Sequence, residues 1–243
     1  MEKKRISPMQ LFAGIVFALL TCEASYRFVR SGIAIVFTLL LDYATFWSVI
    51  QNLGSAFVIL LMVVGYLALA VACFLRAPKK IALCGVAVLI VSIILNSIVA
   101  SMDDVVRIFQ YGLRFDAYNI LGFLFHQFHL LLRLLVFAAA ALALLMKKPN
   151  KLLCFVPSVL AVICRVWFVI YNIIMLLVGY TMSHWLSALM SIVTSAASIV
   201  AILEAVGFAL LLSTTAKEKA AGLAEPQVVE EASVQEEIPA AAE

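Results

Sequence analysis

Long apolar runs, broken by short polar clusters, make up most of the chain as far as Ser213. Five of them run Ser55 to Leu75, Ile81 to Ala100, Gln127 to Met146, Leu152 to Leu177 and Leu186 to Leu212. Each reaches about 20 residues, the length at which an α-helix crosses a hydrocarbon core roughly 30 Å thick. Arg76-Ala-Pro-Lys-Lys80 separates the first two runs, and Lys147-Lys-Pro-Asn-Lys151 separates the third from the fourth. In each cluster the proline ends one helix and presets the next, while the lysines stay among the headgroups and favour the cytoplasmic side. The pattern predicts an all-α integral membrane protein.

The two basic turns also suggest a repeat. A constant shift of about 71 residues, the kind of fixed period that marks repeated units, places Pro78 on Pro149, Lys80 on Lys151 and Val88-Leu89 on Val159-Leu160. Units beginning near Lys3-Lys4, Lys79-Lys80 and Asn150-Lys151, with Lys217 to Lys219 closing the third, make three transmembrane hairpins, hence six helices with both termini cytoplasmic. The first unit resists this division, because Leu11 to Cys22 and Ile33 to Ile50 are both apolar and both precede Ser55. Three crossings there give a seven-helix bundle; six require that one of the two early segments lie on or re-enter the outer face. The segment from Met1 to Ser25 also carries the basic start and apolar stretch of a secretory signal, but an uncleaved first helix is the simpler expectation.

Composition agrees with lipid as the main solvent. The chain of 243 residues is 65% hydrophobic and 13% charged, with a mean hydropathy of +1.13. That is too little charge to cover a core with a polar surface. The net charge of +3 conceals a partition. Residues 214–243 carry Lys217 and Lys219 against seven glutamates and no aromatic residue, which predicts a disordered acidic cytoplasmic tail. Residues 1–213 form the polytopic domain, where basic residues gather in clusters too short for a nucleic-acid-binding stripe. Cys22, Cys73, Cys84, Cys154 and Cys164 contain no close pair and read as small apolar residues.

Ionisable groups within spans are costly, so they are the residues with a claim on function. Arg133 lies 14 residues before Lys147 and Arg165 lies 14 residues after Lys151. On antiparallel helices they share a depth of about 21 Å from the inner surface. Glu204, 13 residues before Lys217, falls at nearly the same level. Helical phase aligns His126 with Arg133, sets His129 beside them, and aligns Asn172 with Arg165. Asn96 and Ser92 on the third span extend the same zone. Arg133, Arg165 and Glu204 are thus expected to form an intramembrane site in the outer half of the bundle, with His126, His129, Asn172 and Asn96 toward its mouth. Excess positive charge suits a small anionic solute or a lipid headgroup. A structural salt bridge with one snorkelling arginine is the plainer reading. Ala197, Ala201, Ala205 and Ala209 form a small-residue seam suited to close packing, within the chain or against a membrane partner.

Other chemistries find little support. No G-x-S-x-G, H-E-x-x-H, P-loop or G-x-G-x-x-G is present, His126 and His129 have no third ligand for a metal, and no cofactor motif occurs. Asp103, Asp104 and Asp116 in the segment from Ser101 to Tyr118 lack calcium-site spacing, and that segment reads as an outer loop with an interfacial helix. Tyr26, Tyr43, Trp47, Tyr171, Tyr180 and Trp185 read as an aromatic belt. Three functions remain: binding or transport of a small anion, a non-catalytic scaffold or accessory subunit, and a membrane-embedded lipid-modifying enzyme. A bacterial plasma membrane suits the short basic turns. Cysteines introduced at Ser31, Ser101 and Thr181 are expected to react with an impermeant thiol reagent from the outside; labelling of Ser101→Cys only from the cytoplasm reverses the orientation.

Overall fold

The computed structural model describes residues 7–40, 46–75, 79–111, 117–146, 151–179 and 199–217. They form six helices: α1 (Pro8–Leu40), α2 (Phe46–Phe74), α3 (Lys79–Tyr111), α4 (Ala117–Leu145), α5 (Lys151–Gly179) and α6 (Ile199–Lys217). All six are long and apolar enough to cross a membrane, and the described residues include no strand. Exposed apolar side chains, such as Leu131 and Leu135 on α4 and Val159, Val162 and Val166 on α5, run along the outer faces as lipid contact requires.

The first unit contains two crossings rather than three. Leu11 to Cys22 and Ile33 to Leu40 belong to one uninterrupted α1, and Phe46 to Ile50 already belong to α2, so the described residues between 33 and 50 form no separate helix. The polar interval between the two apolar stretches stays helical, and within it Glu23 and Arg27, one turn apart, pair with each other. Among the described residues no separate interfacial helix follows Ser101: α3 continues to Tyr111 and α4 starts at Ala117. A helix of 33 residues spans about 50 Å, so α3 leaves the hydrocarbon while still helical.

The hairpin repeat is visible in the element boundaries. Helices α1, α3 and α5 start at Pro8, Lys79 and Lys151, and α2 and α4 start at Phe46 and Ala117, so equivalent elements recur at a nearly constant interval. The end carrying Pro8, Lys79, Lys151 and Lys217 is called the basic end below. Helix α6 runs past the expected domain boundary, with Thr214 buried and helical. Residues 218–243, on which the acidic-tail reading rests, lie outside the described residues, as do Tyr43, Tyr180, His184 and Trp185.

Sequential helices pack against each other, and α6 closes the bundle by touching α1, α2, α4 and α5. Phe208 of α6 meets Phe17 of α1 edge-on at 5.5 Å and Phe137 of α4 at 5.9 Å, and all three rings are fully buried. The Ser158 hydroxyl of α5 donates to the Ala205 carbonyl at 2.7 Å. Ala205 is therefore turned into the bundle, while Ala197 lies outside the described residues.

Helices α2 and α3 approach through Gly65 and Gly85. A β-carbon on Gly85 would lie 2.9 Å from the Gly65 carbonyl oxygen, and one on Gly65 would lie 2.6 Å from Leu89. Small residues that let backbones come this close are how membrane helices gain van der Waals contact. Gly85→Ala is expected to destabilise the protein by about 1–3 kcal/mol in detergent unfolding. Gly32→Ala, with open space around it, serves as the neutral control; equal stability of the two variants contradicts the close crossing.

Candidate functional site

Arg133 and Glu204, expected at one depth, meet there. Arg133 Nη2 of α4 donates to Glu204 Oε1 of α6 at 2.6 Å. The Tyr66 hydroxyl of α2 donates to the same carboxylate oxygen, and Arg133 Nη2 also lies 3.5 Å from that hydroxyl. Three helices are thereby joined through one carboxylate. Its burial makes the pairing decisive: the Glu204 side chain is 7% exposed and that of Arg133 19%. In hydrocarbon each would carry a large desolvation cost without the other. Arg133 and Glu204 are 71 residues apart, so they occupy equivalent positions in the second and third repeat units.

A cavity of about 80 Å³ opens beside this ion pair, lined among others by Arg27, Arg133, Arg165, Glu204, His129 and Cys164. Arg165 joins it from α5, its guanidinium 4.9 Å from the centre of the Phe168 ring, a cation–π distance. Arg27 reaches it from α1, paired with Glu23 and 40% exposed. The lining residues thus carry three guanidiniums and one carboxylate, with a second carboxylate bound to Arg27 just behind. Counting these five groups leaves one positive charge in excess among the described residues. Small side chains make the room, since Ala161 of α5 and Ala201 of α6 face the space.

The α4–α5 interface sets the level of the cavity. Phe125 stacks on Trp167 at 4.9 Å and on Tyr171 at 5.4 Å, which places Tyr171 in an interhelical stack. One turn toward the basic end, His129 packs on Phe168 at 5.2 Å, and its Nδ1 lies 3.4 Å from Cys164 Sγ. This register delivers Arg133 and Arg165 to the same space.

Of the residues expected at the mouth, only His129 lines the cavity. Asn172 donates to the Phe168 carbonyl of its own helix at 2.7 Å, and His126 stands outside the lining. Asn96 stands apart because α3 contributes nothing to the lining. Ser92, buried one turn before it, bonds back to the Leu89 carbonyl at 2.7 Å instead of extending a polar zone. A second recess of about 340 Å³ lies between α3 and α4, bordered by isoleucines and leucines with Ser97 and Gln127 at its edge. There Ser97 donates to Gln127 at 2.7 Å and Gln127 donates to Ser101 at 3.0 Å, so this polar trio is engaged with itself.

Tyr66, Arg27 with Glu23, and Cys164 are participants that counting residues for depth does not reveal. A tyrosine in the middle of an apolar span, needing a partner for its hydroxyl, and an acid–base pair at i, i+4 are the signals available in the chain. No metal-binding group of three or more His, Cys, Asp or Glu occurs among the described residues. No known protein family, curated protein or solved structure matches the chain.

The ion pair predicts a specific coupling. Arg133→Met and Glu204→Met are each expected to cost about 3–5 kcal/mol, because each leaves an uncompensated buried charge. The double variant is expected to cost markedly less than the two together, measured by denaturation in detergent. Simple additivity would mean that the two residues do not interact. Tyr66→Phe is expected to cost about 1.5–3 kcal/mol, as loss of a hydrogen bond to a charged group.

Proposed function

We propose that this multi-pass membrane protein binds a small anion, as a free solute or as the headgroup of a lipid, in the cavity between α1, α4, α5 and α6. The observation that carries the reading is the convergence of Arg27, Arg133 and Arg165 on a space of about 80 Å³ that contains one carboxylate, Glu204. Guanidiniums present planar donor forks that match oxyanions, and they act most strongly where water is scarce. In this reading Glu204 holds Arg133 in place while Arg165 and Arg27 face the ligand. The volume accommodates a few waters or one oxyanion group.

The scaffold reading draws less support, because Ala205 of its alanine seam is buried within the chain. The proposal retains the cytoplasmic termini and the plasma-membrane location expected from the basic turns, with the cavity opening toward the outer leaflet.

Thermal unfolding of the detergent-solubilised protein in phosphate or sulfate, against chloride at equal ionic strength, tests the reading. A ligand at one hundred times its Kd stabilises by about 2.7 kcal/mol, a shift of several degrees. Arg165→Gln is expected to abolish the oxyanion-dependent shift while leaving the melting temperature in chloride nearly unchanged. An identical melting temperature in all three salts rules out the site.

A further inference from the structure

The cavity holds a nucleophile as well as cations. Cys164 Sγ on α5 lies 3.4 Å from His129 Nδ1 and 3.8 Å from the His129 carbonyl oxygen on α4. Both residues line the same space as the three arginines. The imidazole is not loose: its ring rests against Phe168, which also supports the Arg165 guanidinium. A thiol within hydrogen-bond reach of an oriented imidazole nitrogen is the arrangement of a nucleophile and its base. Guanidiniums beside it are the groups that stabilise charge on the non-bridging oxygens of a transferring phosphoryl group.

Shared lining points to the chemistry. Cys164 borders the same space as Arg133 and Arg165, so an oxyanion group bound there shares its walls with Sγ. A carboxylate held there offers no leaving group, whereas a phosphate monoester does. We propose that Cys164 accepts a phosphoryl group from a phosphate monoester, with His129 carrying the proton. This rests on the anion-binding reading above and names the substrate class of that site.

In the first step the Cys164 thiol proton passes to His129 Nδ1, Sγ forms a bond to phosphorus, and the ester P–O bond breaks. The leaving oxygen takes the proton from His129 and departs as an alcohol. In the second step water attacks phosphorus and gives a proton to His129. The S–P bond then breaks, inorganic phosphate leaves, and the thiolate recovers the proton. The sum is hydrolysis of a monoester to an alcohol and phosphate. Arg133, fixed by Glu204, and Arg165 hold the non-bridging oxygens through both steps.

The test uses the full chain in nanodiscs, given phosphatidic acid in the same bilayer or soluble glycerol phosphate. Phosphate release is expected, and acid-quenched samples are expected to show the Cys164 peptide heavier by one phosphoryl group. Release from the bilayer substrate alone identifies a lipid source, and release from glycerol phosphate alone identifies a soluble one. Cys164→Ser is expected to abolish the adduct and the release. His129→Gln is expected to slow release on the order of 10²-fold. The transfer is overturned by no release from either substrate, or by release that persists in Cys164→Ser. If the wild-type protein releases nothing but still melts higher in phosphate, anion binding stands and transfer alone falls; if the shift is missing too, both fall.

Discussion

A guanidinium in hydrocarbon needs a counter-charge within reach, and in this bundle Glu204 supplies it for Arg133. The demand has geometric consequences. The carboxylate must face α4, which fixes the rotation of α6, and it also receives the Tyr66 hydroxyl, which draws α2 to the same point. One turn toward the basic end, that rotation presents Phe208 to Phe17 and Phe137, so a dry aromatic layer forms directly beneath the charged one. The polar contact decides which faces meet, and the apolar layer decides how closely.

The cavity follows from the same arrangement. Once Arg133 is committed to Glu204, Arg165 is held over Phe168 and Arg27 is held by Glu23, so three like charges converge without any one closing onto another. Alanines at 161 and 201 leave the space between them unfilled. A packed apolar plug there would be favourable for an uncharged bundle, but it would strand the guanidiniums without polar neighbours.

Residue spacing carries much of this information. The basic turns mark the hairpin ends, and counting from them at helical rise puts Arg133, Arg165 and Glu204 on one level. What spacing does not encode is the azimuth of one helix about another. Asn96 has a plausible depth but sits on α3, which lines none of the cavity, while Tyr66 sits on α2, whose face toward α6 no count of residues reveals. Cys164 reads as inert in the chain because burial and reactivity are separated only by what lies opposite, here His129 from another helix. The expected division of α1 fails for a local reason: Glu23 pairs with Arg27 one turn on and Arg30 is exposed, so a polar interval that reads as a break is compatible with continuous helix.

The Arg133–Glu204 pair joins equivalent positions of two successive hairpins, and the chain is made from its N-terminus. At synthesis rates of about 5–20 residues per second, Glu204 emerges on the order of ten seconds after Arg133. For that interval the second hairpin must wait with its charge uncompensated, and the polar group already in place near it is the hydroxyl of Tyr66 from the first. Assembly is therefore ordered in time. The contact that joins the second hairpin to the third can close only when the last helix has been made.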